Sequence, residues 1–187
     1  MPHIELPEGL PGIVGPMVAY PEIERHLNGL ADALLRGPSS LTPGEREVIA
    51  AYVSKGNECA FCTQLHAWTA RHLTGGDVVD SVLSEGDRAP VKEKLRALLV
   101  IAAKVTRDGR LVTAEDVAAA RQAGADDQAI HDTVLIAAAF CMYSRYVDGL
   151  ATWAPKEPEL YDAMGAQLAE HGYSRTIRGL GGLDEDG

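Results

Sequence analysis

The run Asn57-Glu58-Cys59-Ala60-Phe61-Cys62-Thr63-Gln64-Leu65-His66 sets a Cys-x-x-Cys pair four residues ahead of an imidazole. On a helix, positions i, i+3 and i+7 share one face, and side chains three or four apart stand roughly 5–6 Å apart at Cβ. Two thiols and a base therefore meet there. The neighbouring residues support a helix: Gly56 closes a preceding one, Asn57 serves as N-cap, and Phe61, Leu65 and Trp68 recur at helical spacing. Cys59 then falls in the first turn, where unpaired backbone N–H groups stabilise a thiolate and lower its pKa from the free value of about 8.5. His66, one turn beyond Cys62, is placed to take its proton. A disulfide needs Cβ atoms about 3.5–4.5 Å apart, closer than a regular helix holds i and i+3, so oxidation requires the first turn to yield.

Other readings of the pair are weaker. With His66 it offers three zinc ligands, but no second CxxC, CxxH or HxxxH supplies a fourth, and we expect no metal and no cofactor. Inert core cysteines remain the bland reading, since free Cys is often buried. A thioredoxin-type motif belongs with a βαβ pattern, and no convincing strand precedes Cys59.

Outward from the motif, nearly every long segment reads as helix. Residues 21–36 carry Ile23, Leu27, Leu30 and Leu34 on one stripe and stop at Gly37-Pro38. Thr42-Pro43-Gly44-Glu45 is a capping box with proline at the first helical position, opening a helix that runs to Gly56. The redox helix spans about 58–73, a short helix lies around 78–83, and Pro90 starts another that ends near Asp108-Gly109. Thr113 caps a helix over 114–123, Asp126 caps the longest over about 127–150, and 157–170 form the last. The stretch 134–142 is apolar all round, which predicts burial on several sides. Pro11, Gly12, Gly15 and Pro16 interrupt the N-terminal apolar residues and predict an extended arm over 1–20. The expected organisation is an all-α single domain over 21–172, with a flexible Gly- and acid-rich tail over 173–187.

A chain of 187 residues with 46% apolar content suffices for one domain with a sizeable core. Its net charge of −10 argues against nucleic acid or an anionic membrane as partner, because both call for a basic face. No apolar stretch approaches a bilayer span, and the N-terminus lacks a basic segment followed by an apolar run. We expect a soluble, cytoplasmic protein, where a reducing environment keeps an odd set of three cysteines as thiols. Cys141 reads as an inert core thiol, His72 as a hydrogen-bonded, partly buried residue on the Phe61 stripe, and His131 as a surface residue. Tyr143 and residues 145–148 reach either the site or a subunit contact, with the contact ranked higher, and Trp153 is read as covering apolar surface at an interface.

Glu47, the CxxC pair twelve residues on, and His66, within Glu45-Arg46-Glu47-Val48-Ile49-Ala50-Ala51-Tyr52-Val53-Ser54-Lys55-Gly56 and the motif that follows, resemble the alkylhydroperoxidase D (AhpD-like) family, peroxidase-related branch, of the carboxymuconolactone decarboxylase superfamily. The resemblance covers about 21–153. It implies an AhpD-like helical bundle, a homo-oligomer, and thiol-dependent reduction of small hydroperoxides without haem, flavin or metal. By position it implies Cys62 as the peroxide-attacking thiol, Cys59 as the resolving thiol, and His66 with Glu47 as a proton relay. A dithiol reductant of lipoyl or thioredoxin type would restore the pair. Spacing alone does not interpret Glu47, whose bland reading is an exposed carboxylate near a helix start. One departure stands out: the family's namesake peroxidases resemble C-x-H-C, and this chain has Phe61 at the histidine position.

The competing functions are a general dithiol-disulfide oxidoreductase, a redox-responsive binding protein that does not turn over, and a carboxymuconolactone-type decarboxylase, which would leave the CxxC pair unused.

Overall fold

A computed structural model describes residues 1–173. Of the tail expected over 173–187, residues 174–187 lie outside the described residues, while Tyr173 is described and buried. Among the described residues the regular structure is all helical, in a single compact domain. The order is α1 (Val14–Ala19), α2 (Pro21–Arg36), α3 (Pro43–Gly56), α4 (Ala60–Thr74), α5 (Gly76–Glu85), α6 (Glu93–Arg107), α7 (Ala114–Gln122), α8 (Asp127–Gly149) and α9 (Pro158–His171), with short 3-10 turns at Gly86–Arg88 and Gly109–Leu111.

The centre of the domain is α3. Its start is fixed by the expected capping box: Thr42 Oγ1 accepts Glu45 N–H at 3.2 Å, and Thr42 N–H donates to Glu45 Oε2 at 2.9 Å. Val48, Ile49, Ala50, Ala51 and Val53 are all buried, so nearly the whole circumference of the helix is core. Around it pack α4, α6 and α8, with α9 laid along α4. The last of these approaches is close: a Cβ at Gly165 would stand 2.8 Å from Thr69 N, so only glycine lets α9 lie down on the α4 backbone. Arg46 Nη1 donates to Leu34 O and Gly37 O, both at 2.9 Å, closing the open carbonyl end of α2.

Three expectations need correction. The arm holds a short helix, α1, because Pro16 falls in its first turn, where a backbone N–H has no intrahelical partner to lose. On α2 the buried face is Asn28, Ala31, Leu34 and Leu35, rotated from the expected stripe, and Ile23 is exposed. On α8, Val134, Leu135 and Met142 reach solvent, so that helix is buried on one side rather than several.

Candidate active site

The link from α3 to α4 places the thiols. Asn57 ends α3, its N–H bonded to Val53 O at 3.0 Å, and does not cap α4. Glu58 takes a left-handed φ of 60°, a conformation that costs a non-glycine residue roughly 1–2 kcal/mol. That turn delivers Cys59, with extended backbone, to the N-cap position of α4, one step outside the first turn expected for it. Cys59 N–H donates to Ser54 O at 3.1 Å, and its carbonyl accepts Thr63 N–H at 3.0 Å and Thr63 Oγ1 at 2.7 Å. Being outside the helical ladder, Cys59 escapes the i, i+3 spacing that would keep two helical cysteines apart. Both thiols are reduced and buried, Cys59 at 0% and Cys62 at 4% exposure.

The pair divides its charge unequally. The hydrogen bond from Cys62 draws the Cys59 pKa below the ordinary thiol value, against the effect of burial. Cys62 is pushed far up, first by that same bond and then by burial and the charge on its neighbour. From α8, Ser144 and Asp148, one turn apart, address the two thiols. The Ser144 hydroxyl is buried with no partner at ordinary hydrogen-bond geometry, and its approach to Cys62 favours the thiolate. The charge of exposed Asp148 raises the Cys59 pKa and favours the protonated thiol. Of residues 145–148, Asp148 thus reaches the site, the lower-ranked of the two readings from sequence.

Behind Cys62 lies a buried charge cluster. Glu47 has 0% exposure, which removes the bland reading of an exposed carboxylate. Its Oε2 meets His66 Nδ1 at 2.8 Å, and its Oε1 accepts Arg36 Nη2 at 2.7 Å and Tyr173 Oη at 2.7 Å. Burial is the largest influence on Glu47 and raises its pKa, but His66, Arg36 and the Tyr173 phenol together outweigh it and hold the carboxyl below its ordinary value. Tyr173 is driven well above the usual phenol range by burial and then by the Glu47 charge. The edge of His66 packs against Phe140 at 4.5 Å between ring centroids.

Cys62 and His66 border one cavity of about 50 Å³, and Cys59 does not. Its other walls are largely apolar, with Met17 of α1, Phe140 and Tyr143 of α8, Leu168 of α9, and Asn28 as a neutral amide. By the measure in which one water needs about 10–15 Å³, this space takes a few waters or a small organic molecule. Tyr143, ranked from sequence as a subunit contact ahead of the site, lines the cavity, with its hydroxyl donated to Leu27 O at 2.8 Å.

Cys59, Cys62, His66 and Glu47 lie together in the structure. Arg36, Tyr173, Ser144 and Asp148 carry no local signal and join through tertiary packing. Cys141 is buried and accepts from Asn57 Nδ2 at 3.4 Å. His72 lies at the exposed edge, paired with Asp162 at 2.8 Å. Among the described residues no group of three or more His, Cys, Asp and Glu side chains is arranged to hold a metal ion.

Residues 21–75 match the carboxymuconolactone decarboxylase family. Two solved structures share the fold. One, the alkylhydroperoxidase AhpD core of an uncharacterized peroxidase-related protein from Ralstonia eutropha JMP134, is 27% identical over 83% of this chain and 80% of its own, with a TM-score of 0.74. An uncharacterized peroxidase-related protein from Silicibacter sp. TM1040 is 26% identical over the same shares, also at 0.74. The chain has the AhpD-like fold, and its segment 21–75 carries the carboxymuconolactone decarboxylase family match. A protein of unknown function from Agrobacterium tumefaciens, 23% identical over 76% of this chain and 97% of its own, has the same fold at a TM-score of 0.64. No curated protein matches the chain. Within this AhpD-like bundle the matched segment runs through α2, α3 and α4, the helices that carry Arg36, Glu47, both thiols and His66.

Proposed function

We propose that this AhpD-like protein reduces small organic hydroperoxides through a Cys59–Cys62 dithiol/disulfide cycle. The observation that carries the reading is that Cys62 and His66 border one apolar cavity while a buried carboxylate holds Nδ1 of the imidazole. Cys62 gives its proton to His66, and the thiolate sulfur attacks the terminal oxygen of ROOH. The O–O bond breaks, a sulfenic acid forms on Cys62, and the alkoxide takes the proton back from His66 to leave as ROH. Sulfur loses two electrons and the peroxide gains them. The Cys59 thiolate then attacks the sulfenic sulfur, an S–S bond forms, and hydroxide leaves with a proton as water. An external dithiol of lipoyl or thioredoxin type returns two electrons through a mixed disulfide.

Cys62 attacks because it faces the cavity and the base, although the resting charge favours Cys59; the reactive form is the one in which Cys59 S–H donates to the Cys62 thiolate. Trapping of the sulfenic acid with a dimedone-type reagent tests this order. Cys59→Ser should accumulate the adduct on Cys62, and Cys62→Ser should form none on Cys59; the opposite pattern would exchange the roles. The near-complete burial of both thiols also supports a second reading, a dithiol that responds to peroxide once and turns over slowly as a redox-responsive binding protein. Stoichiometric oxidation without continued peroxide loss separates it from the enzyme.

A further inference from the structure

Glu47 holds its charge where no solvent reaches, so its lone pairs must be met from inside the protein. Arg36 and His66 supply part of this. The rest comes from Tyr173, 107 residues from His66 along the chain, whose phenol oxygen is 2.7 Å from Glu47 Oε1 and 3.1 Å from His66 Nδ1. Its ring lies nearly parallel to the imidazole, at 16°, with the Arg36 guanidinium over it at 5.2 Å. The chain reaches this position through Gly172, at a φ of 73°, and the Tyr173 N–H is fastened to Asp32 Oδ1 at 2.8 Å.

The phenol has a single hydrogen, and its destination decides the state of His66. Given to Glu47, it leaves Nδ1 to donate its own hydrogen to Oε2, and Nε2 keeps a lone pair. Given to Nδ1, it forces the hydrogen of the neutral ring onto Nε2, which then cannot accept a proton from Cys62. A buried carboxylate is the stronger acceptor, because hydrogen bonds to an ionised partner are roughly twice as strong as neutral ones. We propose that Tyr173 is a positioning residue: by donating to Glu47 it fixes the His66 tautomer whose Nε2 takes the Cys62 proton, and it moderates the pull of the carboxylate on that imidazole. This rests on the reading of His66 as the base for Cys62.

The charged and titratable groups around His66 are Glu47 from α3, Arg36 and Asp32 from α2, Cys62 on its own helix, and Tyr173 beyond α9. From α8 come Phe140 and Tyr143, the latter with its hydroxyl already bonded to Leu27 O.

The test is Tyr173→Phe, which keeps the ring and removes the hydroxyl, read as the rate of Cys62 alkylation by iodoacetamide against pH, resolved by mass spectrometry of the full chain. Losing one donor leaves the carboxylate more negative and favours imidazolium. The acid limb of the profile should therefore move to higher pH by roughly 0.5–1 unit. A folded variant whose limb stays in place, or moves to lower pH, would overturn the proposal, since a packing role lowers Tm without moving the limb. Should the variant fold poorly, nitrogen-15 chemical shifts of the wild-type histidines decide: hydrogen on Nδ1 of His66 is expected, and hydrogen on Nε2 overturns the inference. Neither measurement uses peroxide, so a wild-type protein that fails to consume peroxide would defeat the functional reading while this result stands by itself.

Discussion

Glu47 Oε2 and His66 Nδ1, nineteen residues apart on α3 and α4, stand 2.8 Å from each other in the core. The contact does two things at once. It joins the central helix to the helix that carries the thiols, and it engages Nδ1 of the imidazole, which leaves the other nitrogen for the base role proposed for it. A carboxylate at that depth is stable only as part of its set of partners, so structure and proposed chemistry depend on the same bonds.

Removing the carboxylate should therefore be costly. Glu47→Ala leaves the Arg36 guanidinium, itself largely buried, without its counter-charge, and loss of one partner of a buried pair costs about 3–5 kcal/mol. Urea denaturation measures it, and a loss below about 1 kcal/mol would deny the pair its role. The folded pKa of Glu47 is depressed, so its stabilisation is fully present above the ordinary carboxylate value and is lost as pH falls through the lower folded value. Wild type should lose more stability on acidification through that window than Glu47→Gln does.

His66→Ala should slow Cys62 alkylation near neutral pH by at least about tenfold, a conservative figure beside the 10²–10⁴ typical of a positioned base, and the rate should recover at high pH. An unchanged rate-versus-pH curve in the folded variant takes His66 out of the mechanism.

Cys59→Ser should make Cys62 easier to ionise. The neighbouring thiol raises the Cys62 pKa through their hydrogen bond, and its charge adds to the effect, so both influences are removed or reduced. Thiolate absorbance followed through a pH titration should show Cys62 ionising at lower pH in the variant. A shift in the other direction would mean that donation from Cys59 S–H to the Cys62 thiolate outweighs the upward influence of the neighbouring thiol on Cys62.

The boundaries of α2 and α3 and the grouping of Cys59, Cys62 and His66 are legible in the sequence, because proline, the Thr42 box, glycine and helical spacing act locally, whereas Glu47 enters only through the family resemblance. Where the reading fails, the cause lies in long-range packing or in a conformation that residue type conceals. Glu58 gives no sign of its left-handed backbone, so the start of α4 is read early and Cys59 is placed inside the helix instead of at its cap. Tyr173 falls at the head of a segment whose composition reads as tail, yet it is buried against residues far away in the chain. Residue type alone also gives Asp148 no reason to face Cys59; the direction of α8 supplies it.

Phe61, at the position of the family's histidine, is a packing residue. It is buried, its ring is 6.0 Å from that of Tyr161 between centroids, and a Cβ on Gly12 would fall 2.2 Å from one of its ring atoms. Phe61→His should lower stability by about 1–3 kcal/mol through lost apolar burial and a poorly satisfied polar ring. Any gain in peroxide turnover should stay below about 10²-fold, because the introduced imidazole lacks supporting partners. A variant as stable as wild type and faster than that would show that the missing histidine limits this protein.

The central claim is that the CxxC pair turns over on peroxide. The most direct measurement is steady-state consumption of a small alkyl hydroperoxide by the purified chain, with a lipoyl-type dithiol or with thioredoxin as donor. The account predicts many turnovers per protein with at least one donor, a Cys59–Cys62 disulfide with Cys141 free when the donor is withheld, and a loss of at least about 10²-fold in Cys62→Ser. Consumption that stops at one equivalent per chain with either donor, or a Cys62→Ser variant that keeps wild-type turnover, would contradict it.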